Sequence, residues 1–337
     1  MSPAGNGTMW AAAAPLSVIL CTHGRPDYLR ACLDGLGAQS RTGFEVLVVD
    51  SASPPAEARR IAGLAMAAGA RLLRAAAPGL SHARNLGLAA AGGAWVAYLD
   101  DDAVPDAGWA AALLGRIAVL PEDVAALGGR ILPAWEEPLP EWWPPAFRGV
   151  LTIVEWDGAG VIGAQGIGTQ GITAGGIGEG VPAGVDIYGA NMAFATAPLR
   201  AVGGFPESLG RIGDTLLSGE EVEVVTRLGA MGHRAFYDGA AVVHHSIQRD
   251  RLRPGWLLRR LLWQGATDAL RDRGEIGRQG DGGVARALGA AGRLLLQAPL
   301  LLWPAASTAL VRARCGAAYN LGYLRGRLAP DLFGTTP

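Results

Sequence analysis

Three consecutive carboxylates, Asp100, Asp101 and Asp102, follow the apolar run WVAYL. The chain is only 18% charged. Like charges this close repel, and burying any of them is costly. Either the acids form a solvated turn after a strand, or something positive belongs among them. Alternate side chains of an extended stretch share a face, so Asp100 and Asp102 can point the same way. Hard divalent cations such as Mg2+ and Mn2+ take carboxylate oxygens and keep positions open for phosphate. A metal held by such a pair would relieve the repulsion and bind a diphosphate.

Other residues invite comparable questions. Asp50 ends FEVLVVD, where its carboxylate either caps the next turn or accepts from a nucleobase or ribose. Arg84 and Asn85, in LSHARNLGL, open a helix before the acidic run. They are a surface helix start or, since guanidinium suits bidentate phosphate contacts, a phosphate site. Glu220 and Glu221, in SGEE, either complement a helix dipole or include a general base for an acceptor hydroxyl. Ser218 reads as the cap of that helix, with Glu221 as its capping-box partner. His244 and His245 end a strand-like run, so one of them faces each side, and a neutral imidazole can complete a metal shell.

The elements that must position these groups come from the apolar pattern. LSVIL, FEVLVV, RLLRAA and WVAYL read as strands, and Leu29, Leu33 and Leu36 share one face of a helix after Asp27. Helices alternate with fully apolar strands, which predicts a parallel, doubly wound α/β sheet. Ligands of such sheets bind at the carboxyl ends of the strands. The clusters Thr22–Arg25, Asp50–Ser53 and Asp100–Asp102 all fall there. Farther on, the Pro/Trp-rich 133–149 reads as a loop or lid. Trp142 and Trp143 within it either stack on a sugar or lipid acceptor or pack the loop. A Gly-rich tract follows at 158–184, and helices dominate after Arg251. The expected organisation is a tail at 1–14, a domain at 15–251 with halves 15–130 and 131–251, and a helical region at 252–337.

Composition narrows the function classes. A formal charge of −1 over 337 residues gives no support for a nucleic-acid partner. Three cysteines without metal spacing suggest a reducing compartment, hence a cytoplasmic protein. THGRP follows the first strand in place of GxGxxG, which leaves dinucleotide chemistry little support. The stretch 294–311 is nearly uncharged, flanked by arginines and broken by prolines. It reads as a span, an interfacial segment docking peripherally on an anionic inner membrane face, or a packed helical pair.

Taken in order, SVILCTHGRPDYLRACLDGL, FEVLVVDSAS, GLSHARNLGLAAAGGAWVAYLDDD, GANMAFATAPLRAVGGFPESLG and GRIGDTLLSGEEVEVVTRLGAMGHRAFYDGAAVVHH resemble glycosyltransferase family 2. The resemblance runs from about Ser17 to Arg251. It implies a GT-A fold, with a Rossmann-like, mostly parallel central sheet and helices on both faces, here followed by a C-terminal helical extension. It also implies an inverting transferase that moves sugar from a UDP, GDP or dTDP sugar to a glycan or lipid-linked acceptor with Mn2+ or Mg2+. Thr22, Arg25, Asp50, Arg84, Asn85, Asp100 and Asp101 then fall on the nucleotide-sugar side, and Asp102, Asp100 and His245 at the metal. Gly189 and Asn191 fall on the acceptor side, and Glu221, with Glu220 beside it, at the base. A catalytically silent nucleotide-sugar-binding or scaffold protein of a polysaccharide assembly system is the alternative.

Overall fold

The structure is a computed structural model that describes residues 15–162, 181–182, 184–213, 215–272, 282–301 and 307–329. The expected tail at 1–14, most of the Gly-rich tract and part of the 294–311 segment lie outside the described residues.

The first four strands are β1 (Leu16–Thr22), β2 (Phe44–Asp50), β3 (Arg71–Arg74) and β4 (Trp95–Asp100). Helices α1 (Pro26–Gly37), α2 (Pro55–Ala67) and α3 (Leu80–Ala90) connect them. All four strands are parallel neighbours, in the order β3-β2-β1-β4. Every residue of β1 is buried, as expected of a strand covered on both faces. The amphipathic α1 turns Leu29, Cys32, Leu33 and Leu36 inward, with Pro26 supplying a helical φ at its start. Register matters most for the site. Thr22 lies opposite Asp50, and Cys21 opposite Asp100, so three polar clusters reach one sheet edge at the same level.

Beyond β4 the sheet becomes mixed. The later elements are β5 (Ala103–Pro105), α4 (Trp109–Ile117), β6 (Val124–Trp135), β7 (Ala159–Ile162), β8 (Met192–Ala195), α5 (Thr196–Ala201), α6 (Glu220–Ala230) and β9 (Arg234–Ile247). β8 sits between β4 and β6, antiparallel to both, while the long β9 runs parallel to β6. The antiparallel pair β5–β9 sets Ala103 opposite His245, and the Ser246 amide donates to the Asp102 carbonyl at 2.8 Å. These bonds clip the acidic turn onto β9. They also decide which histidine faces it: His245 is buried and His244 is half-buried on the other side.

Three helices close the chain: α7 (Pro254–Asp272), α8 (Gly282–Leu301) and α9 (Thr308–Leu328). A second core joins Trp143, Phe147 and Leu151 to Ile247, Leu252, Leu257, Leu261 and Cys315. The α7–α9 contact is made through glycines. A Cβ on Gly322 would collide with the Leu262 carbonyl, and one on Gly265 with the Tyr319 carbonyl. Backbone atoms cannot rotate away as a side chain can, so Gly322→Ala is expected to destabilise the protein by about 1–3 kcal/mol, lowering the midpoint of thermal unfolding. An unchanged midpoint would show that the helices separate freely. Among the described residues, no helix is long and apolar enough to cross a membrane.

Candidate active site

Two cavities lie along the carboxyl edge of the sheet. One is lined by Thr22, His23, Arg25, Ser51, Pro78 and Gly79. The other is lined by Arg84, Asp100, Asp102, Gly189, Glu220, Glu221 and His245, together with Arg251, Arg260 and Gln264. Leu80 and Arg211 line both, so the cavities meet there.

The acidic turn is not solvated. Asp101 and Asp102 are fully buried, and only Asp100 keeps a third of its side chain exposed. Asp101 pairs with Arg25 and accepts from the Thr22 hydroxyl at 2.6 Å. Burial pushes its carboxyl up to about 7, against the pull of Arg25. Asp101 therefore anchors the turn from inside the protein. Asp102 differs. Its Oδ2 accepts from Arg25 at 2.8 Å, Gln248 at 2.9 Å and Arg251 at 3.1 Å, and its Oδ1 lies 3.5 Å from His245 Nε2. Burial works against the Asp102 charge, but the bond and charge of His245, with Arg25 and Arg251, hold it well below the usual carboxylate range.

Arg84 ties the acidic turn to α6. It is 2% exposed and donates to Glu220 at 2.5 Å and to Asp100 at 3.4 Å. Burial weakens its charge, but Glu220 and Asp100 more than offset this and raise its pKa. Gly189 lies against the same guanidinium, where a Cβ would collide with it. At the start of α6 the expected cap is corrected. Gly219, with φ 90°, occupies the cap position, and no side chain caps the helix there. A left-handed φ favours glycine, and the Ser218 hydroxyl instead accepts from Arg260 at 3.1 Å. Among the described residues, both non-glycine residues with left-handed φ adjoin these cavities: Ala52 (φ 55°) follows Ser51, and Thr152 (φ 60°) lines the second. Such strain persists where the surroundings enforce it.

Other expected residues are placed elsewhere. Asp50 is 2% exposed; it accepts from the Ser53 amide at 2.9 Å and pairs with Arg74, so it caps the turn beside the first cavity. Asn85 bonds both backbone groups of Phe205, and Asn191 fixes Trp109 and the carbonyls of Arg130 and Ala241. Trp142 and Trp143 pack in the second core and do not line the described cavities, because the 133–149 loop folds over α7. In return, α7 contributes Arg260 and Gln264, which the motifs did not single out. One signal was available: Leu257, Arg260, Leu261 and Gln264 share the i, i+3, i+4, i+7 stripe that a helix buries, and two of them are polar.

Residues 17–142 match the family described as Glycosyl transferase family 2. That stretch is thus similar to family 2 glycosyltransferases. Over 195 residues, 58% of this chain and 56% of the relative, it is 29% identical to a glucosyl-dolichyl phosphate glucuronosyltransferase of Haloferax volcanii. It is 30% identical to a pre-mycofactocin glycosyltransferase of Mycobacterium tuberculosis over 57% of this chain and 35% of that one. The chain thus spans about half of the first relative's length and a third of the second's. The fold is similar to that of a mannosyltransferase from Pyrobaculum calidifontis, solved with GDP-mannose and Mn2+, with a TM-score of 0.55 at 19% identity, covering 94% of this chain and 87% of that one. At that identity the likeness speaks to the fold alone. The mixed sheet between helices matches the GT-A fold of that mannosyltransferase.

The donor set of this cavity can be tested against a divalent cation. Among the described residues, no three of His, Cys, Asp or Glu form a ready metal cluster. Mg2+ and Mn2+ do not require one, because they are held by one or two carboxylates plus substrate phosphates. Asp100, Asp102 and His245 line one cavity, with Asp102 Oδ1 turned to the imidazole and its other oxygen to the arginines. That chemistry fits a hard divalent ion.

Proposed function

We propose that this protein is an inverting glycosyltransferase that moves a sugar from a nucleotide-diphosphate sugar to an acceptor hydroxyl, in cell-surface polysaccharide or glycoconjugate synthesis. The observation that carries this reading is one cavity holding both an acidic pair, Asp100 and Asp102, and a second pair, Glu220 and Glu221, at a helix start. It opens onto a neighbouring cavity lined by Thr22, Arg25 and Ser51, which suits the nucleoside. The diphosphate then lies near their junction, within reach of Arg211 and Arg251.

The proton is assigned to Glu221, with Glu220, which accepts from Arg84, beside it. Glu221 takes it from the acceptor hydroxyl, whose oxygen attacks the anomeric carbon on the face opposite the diphosphate. The bond to the diphosphate breaks as the new C–O bond forms, and one displacement inverts the centre. Asp102, with Asp100 and His245, would hold Mn2+ or Mg2+, which supplies charge neutralisation for the leaving diphosphate. A lipid-linked acceptor is supported by the relative named for a dolichyl phosphate sugar. It is also supported by the exposed Leu288, Leu295 and Leu296 of α8, which accompany Arg286 and Arg293 and suit peripheral contact with an anionic inner leaflet from the cytoplasm.

Calorimetric titration with UDP, GDP and dTDP, each with Mn2+ and with EDTA, tests the reading. Metal-dependent binding of one nucleotide is expected, with the metal-dependent part lost in Asp102→Ala. Failure of all three nucleotides to bind would sink the transferase assignment. A fully active Asp102→Ala protein would remove Asp102 from the metal.

A further inference from the structure

The proposed reaction leaves one charged group in the catalytic cavity without a task. Arg260 of α7 is 6% exposed and lines the cavity that holds Glu220 and Glu221. Its Nη2 donates to Ser218 Oγ at 3.1 Å, while its buried Nη1 has no hydrogen-bond partner. Burial, followed by the charge of Arg211, lowers its pKa to about 10, although Glu221, Asp268 and Glu220 pull the other way. The surroundings therefore leave Nη1 unsatisfied and balance the charge only in part. A buried guanidinium left in that state costs stability. It does not serve as the main counter-charge of Glu220, because Arg84 holds that carboxylate. Nor does it share the Asp102 carboxylate, which Arg25 and Arg251 occupy.

Resting on the transferase reading, we propose that Arg260 binds an oxyanion, a carboxylate or a phosphate, carried by the substrate portion beyond the nucleotide. The planar guanidinium fork matches both anions and gives short, charge-assisted bonds. Its place decides which portion that is. Arg260 lines the cavity of the glutamate pair and not the one lined by Thr22 and Ser51, so its ligand belongs to the transferred sugar or to the acceptor. The Ser218 bond keeps one edge of the guanidinium fixed and leaves Nη1 for the ligand.

The test uses the full chain saturated with the nucleoside diphosphate that it binds, so that the diphosphate site is filled. Inorganic phosphate and glucuronate are then titrated separately, with glucose as the neutral control. The wild type is expected to take up at least one of the two anions and not glucose. Arg260→Gln is expected to weaken that binding by about tenfold or more, the loss of one charge-assisted contact. Affinity for the nucleoside diphosphate should change by less than about threefold, and Arg260→Lys should recover part of the anion binding. Uptake of phosphate alone assigns the oxyanion to a phosphate-bearing acceptor, and of glucuronate alone to a sugar carboxylate; either supports the inference. The thermal midpoint of Arg260→Gln should equal or exceed that of the wild type, since an unsatisfied buried charge is gone. Binding of both anions to Arg260→Gln at wild-type affinity overturns the proposal, as does a wild type that binds neither. A fall of several degrees in the midpoint with anion binding intact also overturns it, by showing a structural role only. Any of these with normal nucleotide binding leaves the transferase reading standing. If no nucleotide binds, that reading fails, and the same anion titration without nucleotide still decides Arg260.

Discussion

Glu221→Gln is expected to turn over substrate more slowly by about 10²–10⁴-fold, the contribution of a positioned general base. The substitution keeps size and hydrogen bonding and removes only the ability to accept a proton. Nucleotide affinity should stay within about threefold of wild type, because the diphosphate is placed near the junction of the cavities and not on α6. The rate is read as nucleoside diphosphate released from the donor in the presence of acceptor. The low-pH limb of the wild-type profile should vanish with the base, since that limb reports the carboxylate becoming protonated. The Glu220→Gln protein is the companion. It also disturbs the bond to Arg84, so its loss should include a stability defect. Wild-type turnover by Glu221→Gln, alongside a collapse in Glu220→Gln at unchanged stability, would move the base to Glu220.

The second large effect concerns folding. Arg84→Met is expected to lower stability by about 3–5 kcal/mol, the cost of breaking a buried ion pair from one side. Arg84 is 2% exposed and Glu220 4% exposed, so the stranded carboxylate has little water to turn to. The double variant Arg84→Met/Glu220→Gln should regain much of the loss, because the charge that needed a partner is gone as well. Chemical denaturation of the wild type, the single variant and the double variant at one pH reads this directly. A double variant no more stable than Arg84→Met would mean that Arg84 stabilises the fold through packing alone.

Much of the N-terminal half was legible because its information is local. Apolar runs with helical stretches between them define β1 to β4, and each run ends on the polar residues that the register then brings level. Three adjacent acids after WVAYL raised the question of a site, but the tripeptide by itself left a solvated turn open, and the burial of Asp101 and Asp102 removes that reading. The structure still divides them: Asp101 is turned inward to Arg25 and Thr22, while Asp100 and Asp102 line the cavity. Asp50 had two readings, and the described contacts are those of the turn cap. The two tryptophans had two readings as well, and the described contacts are those of the second core, with Trp143 buried and Trp142 half-buried against it.

What the amino-acid order determined by itself is the parallel half of the sheet and the polar strand ends that gather at its carboxyl edge, among them the carboxylates and histidine to which the proposed chemistry is assigned. Tertiary structure decided which of them meet. β8 enters between β4 and β6, β9 offers His245 and not His244 to the acidic turn, and α7 brings Arg260 into the cavity wall. The physical reason is distance along the chain. Arg84 and Glu220 are 136 residues apart, and Asp102 and Arg251 149. A local pattern can bury a stripe of a helix, but only the packed chain decides which opposite charge that stripe will face.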